Sequence, residues 1–272
     1  MKNISFIPIV ISSFLVVGAA CSKDTVNQNT LTVNQGINTS LENSGGKNAN
    51  TAQTGSTSVS WSFGGSAWQS SGTPPACPEP LTVRTPVDLS TASAILYPGQ
   101  TRGGNYKPHG GFLFRTAVDN KKTVIAPMDA MLYNGSRYIE QGETQYLFTF
   151  IHPCGIAYRF DHLLTLSPAM QAIADTLPSA QVNNSATTMI QGKSVTAGDI
   201  LATEIGFRKN RNVSVDFGVY DLRKTNGEKN GGAEYGQHGL CWLNLLGNDM
   251  VAAKALPGGD QSAGKTSDYC SS

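Results

Sequence analysis

The sequence predicts a mainly β domain built on an antiparallel sheet, with one or two helices and a C-terminal extension. Three observations carry that expectation. Seven short runs rich in β-branched and aromatic residues are separated by turns containing Pro and Gly. One of those turns, His152-Pro153-Cys154-Gly155, stands between two such runs and reads as a hairpin. Helical periodicity is confined to two short segments.

The strand runs are, in order, Gly111–Arg115, Thr123–Ala126, Ala130–Tyr133, Gln145–His152, Ala157–Phe160, Asp199–Thr203 and Val213–Tyr220. The turn at Pro153 and Gly155 makes Gln145–His152 and Ala157–Phe160 antiparallel partners. Alternation along the last run places Ser214, Asp216 and Gly218 on one face, and Val213, Val215, Phe217 and Val219 on the other. The polar set can then face a cleft while the apolar set packs inward. The first helix opens with Ser167 as N-cap and Pro168 in the first turn; Met170, Ile173, Ala174 and Leu177 follow at helical spacing before Pro178. A second helix, broken at Gly247, covers part of Leu240–Leu256.

The start of the chain sets an expectation of export. Lys2 precedes an apolar run from Ile4 to Val17, and Gly18, Ala19 and Ala20 are small, as in a signal peptide over residues 1–20. The run contains Pro8, Ser12 and Ser13 and is short for a permanent membrane span. Cys21 follows the small residues as in bacterial lipoprotein signals, where the thiol receives a lipid after cleavage. The expected location is a membrane-anchored envelope lipoprotein, periplasmic or at the cell surface. Residues 21–72 are dominated by Ser, Thr, Asn, Gln and Gly and read as a flexible tether. Trp61, Phe63 and Trp68 interrupt it. They are expected to collapse locally, the other reading being a contact with the domain or a partner. Residues 73–272 are expected to form one domain.

Cys77, Cys154, Cys241 and Cys270 remain after Cys21, an even number in a compartment that permits disulfides. Three pairings are open; Cys77 with Cys270 is the one that would join the two ends of the domain. None of these cysteines stands at metal-ligand spacing. With a net charge of +1 there is no basic stripe to hold nucleic acid.

The order of several short segments says more than any one of them. Arg102 is followed by Lys107-Pro108-His109-Gly110-Gly111, then Val124-Ile125-Ala126-Pro127, Tyr158-Arg159-Phe160-Asp161-His162-Leu163, Val195-Thr196-Ala197-Gly198 and Val215-Asp216-Phe217-Gly218. Segment by segment, Pro98 to Tyr220 resembles the lysostaphin-type (LytM) zinc endopeptidases. The resemblance implies a LytM-like antiparallel sheet with hairpins around a cleft, and peptidoglycan as the neighbourhood. It also implies zinc ligands. His109 matches the first ligand, Leu113 stands where a ligand Asp is expected, and Asp216 stands at the third ligand. Ser214 replaces the catalytic histidine, and His162 matches the auxiliary one.

Three readings of these residues are open. In the first, His109, His162 and Asp216 line an old cleft without holding zinc or cutting. In the second they form a rebuilt zinc site, since two imidazoles and one carboxylate suit that metal. In the third they are ordinary core and turn residues. The first leads, because Leu113 and Ser214 remove two separate roles. The expected function is therefore a non-catalytic lipoprotein that binds peptidoglycan or an envelope partner protein, with no cofactor. The alternative is a zinc peptidase of altered ligation acting on wall peptides. His152 and His238 are expected at the surface, and Asp161 on the strand face away from His162.

Overall fold

The computed structural model describes residues 59–226, 232 and 234–270. All of them fall in the second of the two units into which the chain divides, Ser40–Ser272. The expected signal peptide, Cys21 and most of the expected tether lie outside the described residues.

In chain order the strands are β1 (Trp61–Phe63), β2 (Trp68–Ser70), β3 (Ala94–Leu96), β4 (Gln100–Arg102), β5 (Asn105–Lys107), β6 (Gly110–Leu113), β7 (Val124–Ile125), β8 (Ala130–Glu140), β9 (Glu143–Ile151) and β10 (Ile156–Leu166). After helix α1 (Pro168–Ala174) come β11 (Gln181–Val182), β12 (Thr188–Met189), β13 (Ser194–Val195), β14 (Ile200–Ile205), β15 (Ser214–Asp221) and finally helix α2 (Met250–Ala255). The main sheet runs β11-β8-β9-β10-β15-β6-β3, with β12 and β13 on β8 and with β14 joining β10 to β7. Every pairing between these strands is antiparallel except β11 with β8. The expected mainly β architecture with two helices is what the chain adopts.

The hairpin expected at Pro153 joins β9 to β10, with Ala157 opposite Ile151. One face of the sheet is the core. Phe148, Phe150, Tyr158, Phe160, Val215 and Phe217 are fully buried there, and Phe150 stacks on Tyr158 and Phe160 on Phe217 at 4.8 and 5.0 Å. The β15 alternation read from sequence holds: Val215, Phe217 and Val219 enter this core. Helix α1 forms as its pattern requires. The Ser167 side chain accepts from the Met170 amide, and Met170 and Ala174 are buried. In the C-terminal region, Gly247 at φ +54° separates a short 3-10 segment, Trp242–Leu245, from α2.

Four expectations change. The disulfides are Cys77–Cys154 and Cys241–Cys270, so neither joins the two ends of the domain. Trp61 and Trp68 do not collapse on themselves alone. They form the β1–β2 hairpin and pack with Ile151, Ala157 and Tyr220 on the sheet's other face. Their indole N–H groups donate to Pro153 O and Glu234 O, so the ordered domain reaches back beyond residue 73. His238 is buried, 4% exposed, with Nδ1 against the Lys224 carbonyl at 2.6 Å. His152 is half-buried, its Nδ1 accepting from the Cys154 amide within the turn. Asp161 lies directly across from Asp216 and therefore shares its face; the assumption of unbroken alternation fails one residue later, at His162.

Candidate functional site

The face opposite the core carries the candidate site, at the join of β6, β15 and β10. His109 is the residue before β6, and its backbone is held from behind: the Arg102 guanidinium donates to the carbonyls of Tyr97 and His109 at 2.8 and 3.0 Å. Asp216, on the exposed-face register of β15, lies opposite Gly111 of β6 and Asp161 of β10. The result is a direct contact, His109 Nε2 to Asp216 Oδ2 at 3.0 Å, between side chains 12% and 19% exposed.

His162 reaches the same carboxylate because its backbone breaks the strand rule. At φ +62° it is in the left-handed region, the register of β10 with β9 shifts between Phe160 and Leu163, and that of β10 with β14 shifts just beyond, between Leu163 and Leu166. Such a bulge adds a residue without a cross-strand partner and re-aims the side chains beside it. The His162 Nε2 atom lies 3.9 Å from Asp216 Oδ2, its Nδ1 lies 3.9 Å from Glu140 Oε2, and its ring packs 5.1 Å from Phe207. Asp161 Oδ1 accepts from Tyr138 OH at 2.6 Å and from the His162 amide at 2.8 Å. The structure thus gathers His109, His162 and Asp216, as the sequence proposes, and adds Tyr138, Glu140, Arg159 and Asp161.

Leu113 and Ser214 are cross-strand partners of each other. Leu113 lies against Gly259, in a C-terminal segment that bonds to the β3 edge through Ile95. Ser214 is buried at 5% exposure. Neither supplies an imidazole or a carboxylate, so the side-chain chemistry expected of the family is missing from both places.

The charges in the cluster set each other. Burial pushes the Asp216 carboxyl up, but His109, His162 and Arg102 outweigh it and hold the group well below the usual carboxylate range. Burial lowers the His109 imidazole and wins over the attraction of Asp216. For His162, burial also lowers, but Asp161, Asp216 and Glu140 together raise the imidazole above its ordinary value. At neutral pH a neutral His109 therefore donates Nε2–H to a charged Asp216. Its Nδ1 is buried with no partner among the described residues.

Solved structures resemble this chain, among them the following two. One is Helicobacter pylori Csd3, at 14% identity and a TM-score of 0.33, over 59% of this chain and 37% of that one. The other is described as a candidate glycyl-glycine endopeptidase lytM from Ruminococcus gnavus, at 15% identity and a TM-score of 0.33, over 61% of this chain and 58% of that one. This chain thus spans less than two thirds of either. No protein-family model and no curated protein matches it.

A zinc site needs three protein ligands whose lone pairs meet at one point. The residues present do not fit the site that the sequence resemblance implies. Leu113 has no lone pair to give, and Asp216 Oδ2, the atom nearest both imidazoles, is already bonded to His109 Nε2. Among the described residues, no group of three or more His, Cys, Asp or Glu is arranged to hold a metal ion.

Sequence reasoning missed Arg159, Tyr138 and Glu140. Arg159 stands two residues before Asp161 on the same strand, and alternation from Asp216 through its cross-strand partner would have found it. Tyr138 and Glu140 come from the long strand β8, whose extent beyond Tyr133 carries no clear period-2 signal.

Proposed function

We propose that this protein is an exported, non-catalytic binding domain of the cell envelope, whose groove engages peptidoglycan peptide or an envelope partner. The observation that carries this reading is the His109–Asp216 contact. The residues at the places of the first and third ligands bond to each other, beside Leu113 and Ser214 at the places of the second ligand and of the catalytic histidine. Polar groups able to hold a peptide remain, while Leu113 and Ser214 take away a ligand and the histidine that such hydrolases use with a metal-activated water. In this reading Cys21 carries a lipid anchor.

Pull-down on purified sacculi tests the binding claim. Retention well above an unrelated exported protein is expected, and retention equal to that control removes the wall as ligand. Partition into a detergent phase should be lost in Cys21→Ala; unchanged partition removes the anchor.

The competing reading is a zinc peptidase of altered ligation. It draws on the approach of two imidazoles to one carboxylate within 3.9 Å and requires those groups to exchange their mutual contacts for an ion. Stoichiometric zinc in the purified protein, lost together with hydrolysis of wall fragments in His109→Ala, would replace the binding reading with this one.

A further inference from the structure

A second cleft lies apart from the groove, toward the hairpin end of β9. His152, on its wall, stands six residues, about 20 Å, along that strand from Tyr146, the partner of Leu163 next to His162. The cleft has a volume of about 480 Å³, and Val83, Pro127 and Met128 line its apolar side. Val83 and Met128 are members of the main core, so this cleft opens from the layer beneath the sheet and not from the face that carries Asp216. Its size is that of a small-ligand site.

Charge enters the cleft from two residues that one turn positions, Arg84 and Asp129. Asp129 Oδ1 accepts from the Ala197 amide at 2.8 Å. Arg84 is tied by its own amide to the Pro127 carbonyl, and its Nη1 lies over Gly198, 2.9 Å from where a Cβ would stand. A side chain at position 198 would displace the guanidinium, and φ +99° there also favours glycine. The turn is closed by Asp199, whose amide donates to the Thr196 carbonyl and whose carboxylate accepts from the Thr196 amide. Arg84 and Asp129 thus meet successive residues of one turn, yet among the described residues neither forms an ion pair. Both are exposed, so a ligand in the cleft reaches them. His152 adds a donor. Its Nδ1 accepts from the Cys154 amide, so the neutral ring carries its hydrogen on Nε2.

The structure assigns this cleft to a short peptide with both ends free, its carboxylate on the Arg84 guanidinium, its ammonium on Asp129 Oδ2 and its side chains against Val83 and Met128. Arginine suits a carboxylate because its planar fork offers two parallel N–H donors. An anion alone would be repelled by Asp129, and a cation alone by Arg84; a zwitterion satisfies both. This site stands or falls independently of the groove.

Titration calorimetry on the full chain tests the site with dialanine, N-acetyl-dialanine and dialanine amide. Dialanine is expected to bind, and removing either of its charges should weaken it at least about tenfold, the scale of one hydrogen bond to a charged group. Arg84→Gln should bring dialanine down to the level of its amide. Asp129→Asn keeps an oxygen for the Ala197 amide and should bring dialanine down to the level of the N-acetyl form. No binding of dialanine at millimolar concentration overturns the site, as does equal affinity for all three probes. A capped form that binds as tightly as dialanine also overturns it, since one charge then suffices. Unchanged dialanine affinity in Arg84→Gln would place the peptide elsewhere on the protein and sink the assignment.

Discussion

At the scale of single residues, the His109–Asp216 contact couples protonation equilibria that run in opposite directions. His162 is raised, so its contribution to stability is fully present below about pH 6.5 and is lost as pH rises through its folded value. His109 is lowered. The unfolded chain takes its proton first, and stability falls as pH drops below about 6.5 toward the folded value. Asp216 is lowered as well, so its contribution is present above about pH 4 and is lost under stronger acid. Imidazole NMR titration should show His162 titrating above 6.5 and His109 below it; the reverse order would contradict this account. Removing one partner leaves the other largely buried, so His109→Ala is expected to cost about 3 kcal/mol in urea unfolding. A change under 1 kcal/mol would mean that the pair is solvated. The approach of His109 and Asp216 was legible in the sequence because alternation puts Asp216 on the polar face of its strand and the order of segments brings His109 to the same site. The role of Asp161 was not, since a positive φ at His162 leaves no mark in a sequence read by period-2 alternation.

Among the elements, the β1–β2 hairpin is the clearest case of packing that local pattern could not reveal. Trp68 lies 5.2 Å from Tyr133 and 5.8 Å from Tyr235, residues far along the chain, so its polar neighbours gave it the look of a tether residue. Trp68→Ala should cost roughly 3 kcal/mol, as for other buried aromatics, and should open residues 59–72 to protease while the main sheet stays protected. Resistance equal to wild type would show that the hairpin is held elsewhere. Helix α1 shows the opposite balance: Ser167, Pro168 and the Met170–Leu177 stripe are all local signals, and they predicted it within a residue at its start. Ser167→Ala should cost about 1 kcal/mol, measured as a shift in the urea midpoint at unchanged slope.

For the whole molecule, the two disulfides act on very different stretches. Cys77–Cys154 spans 77 residues and Cys241–Cys270 spans 29. Loop-closure entropy gives about 4.5 and about 3.6 kcal/mol respectively. The double variant Cys77→Ser/Cys154→Ser is therefore expected to lose more stability than Cys241→Ser/Cys270→Ser; an equal or reversed loss in chemical unfolding would set the chain-entropy account aside. An even cysteine count foretold two bridges. It could not foretell the pairing, because the β9–β10 turn meets the strand-free entry segment only once the sheet is assembled. That pairing has a mechanical side. A pull applied at the N-terminal end of the described residues first peels the tryptophan hairpin from the sheet, exposing Tyr133 and Tyr220. It then meets a covalent stop at Cys77 and is passed to Cys154, at the tip of the β9–β10 hairpin. Tension on the N-terminal arm would thus bare part of the sheet's outer face before it could unravel the sheet.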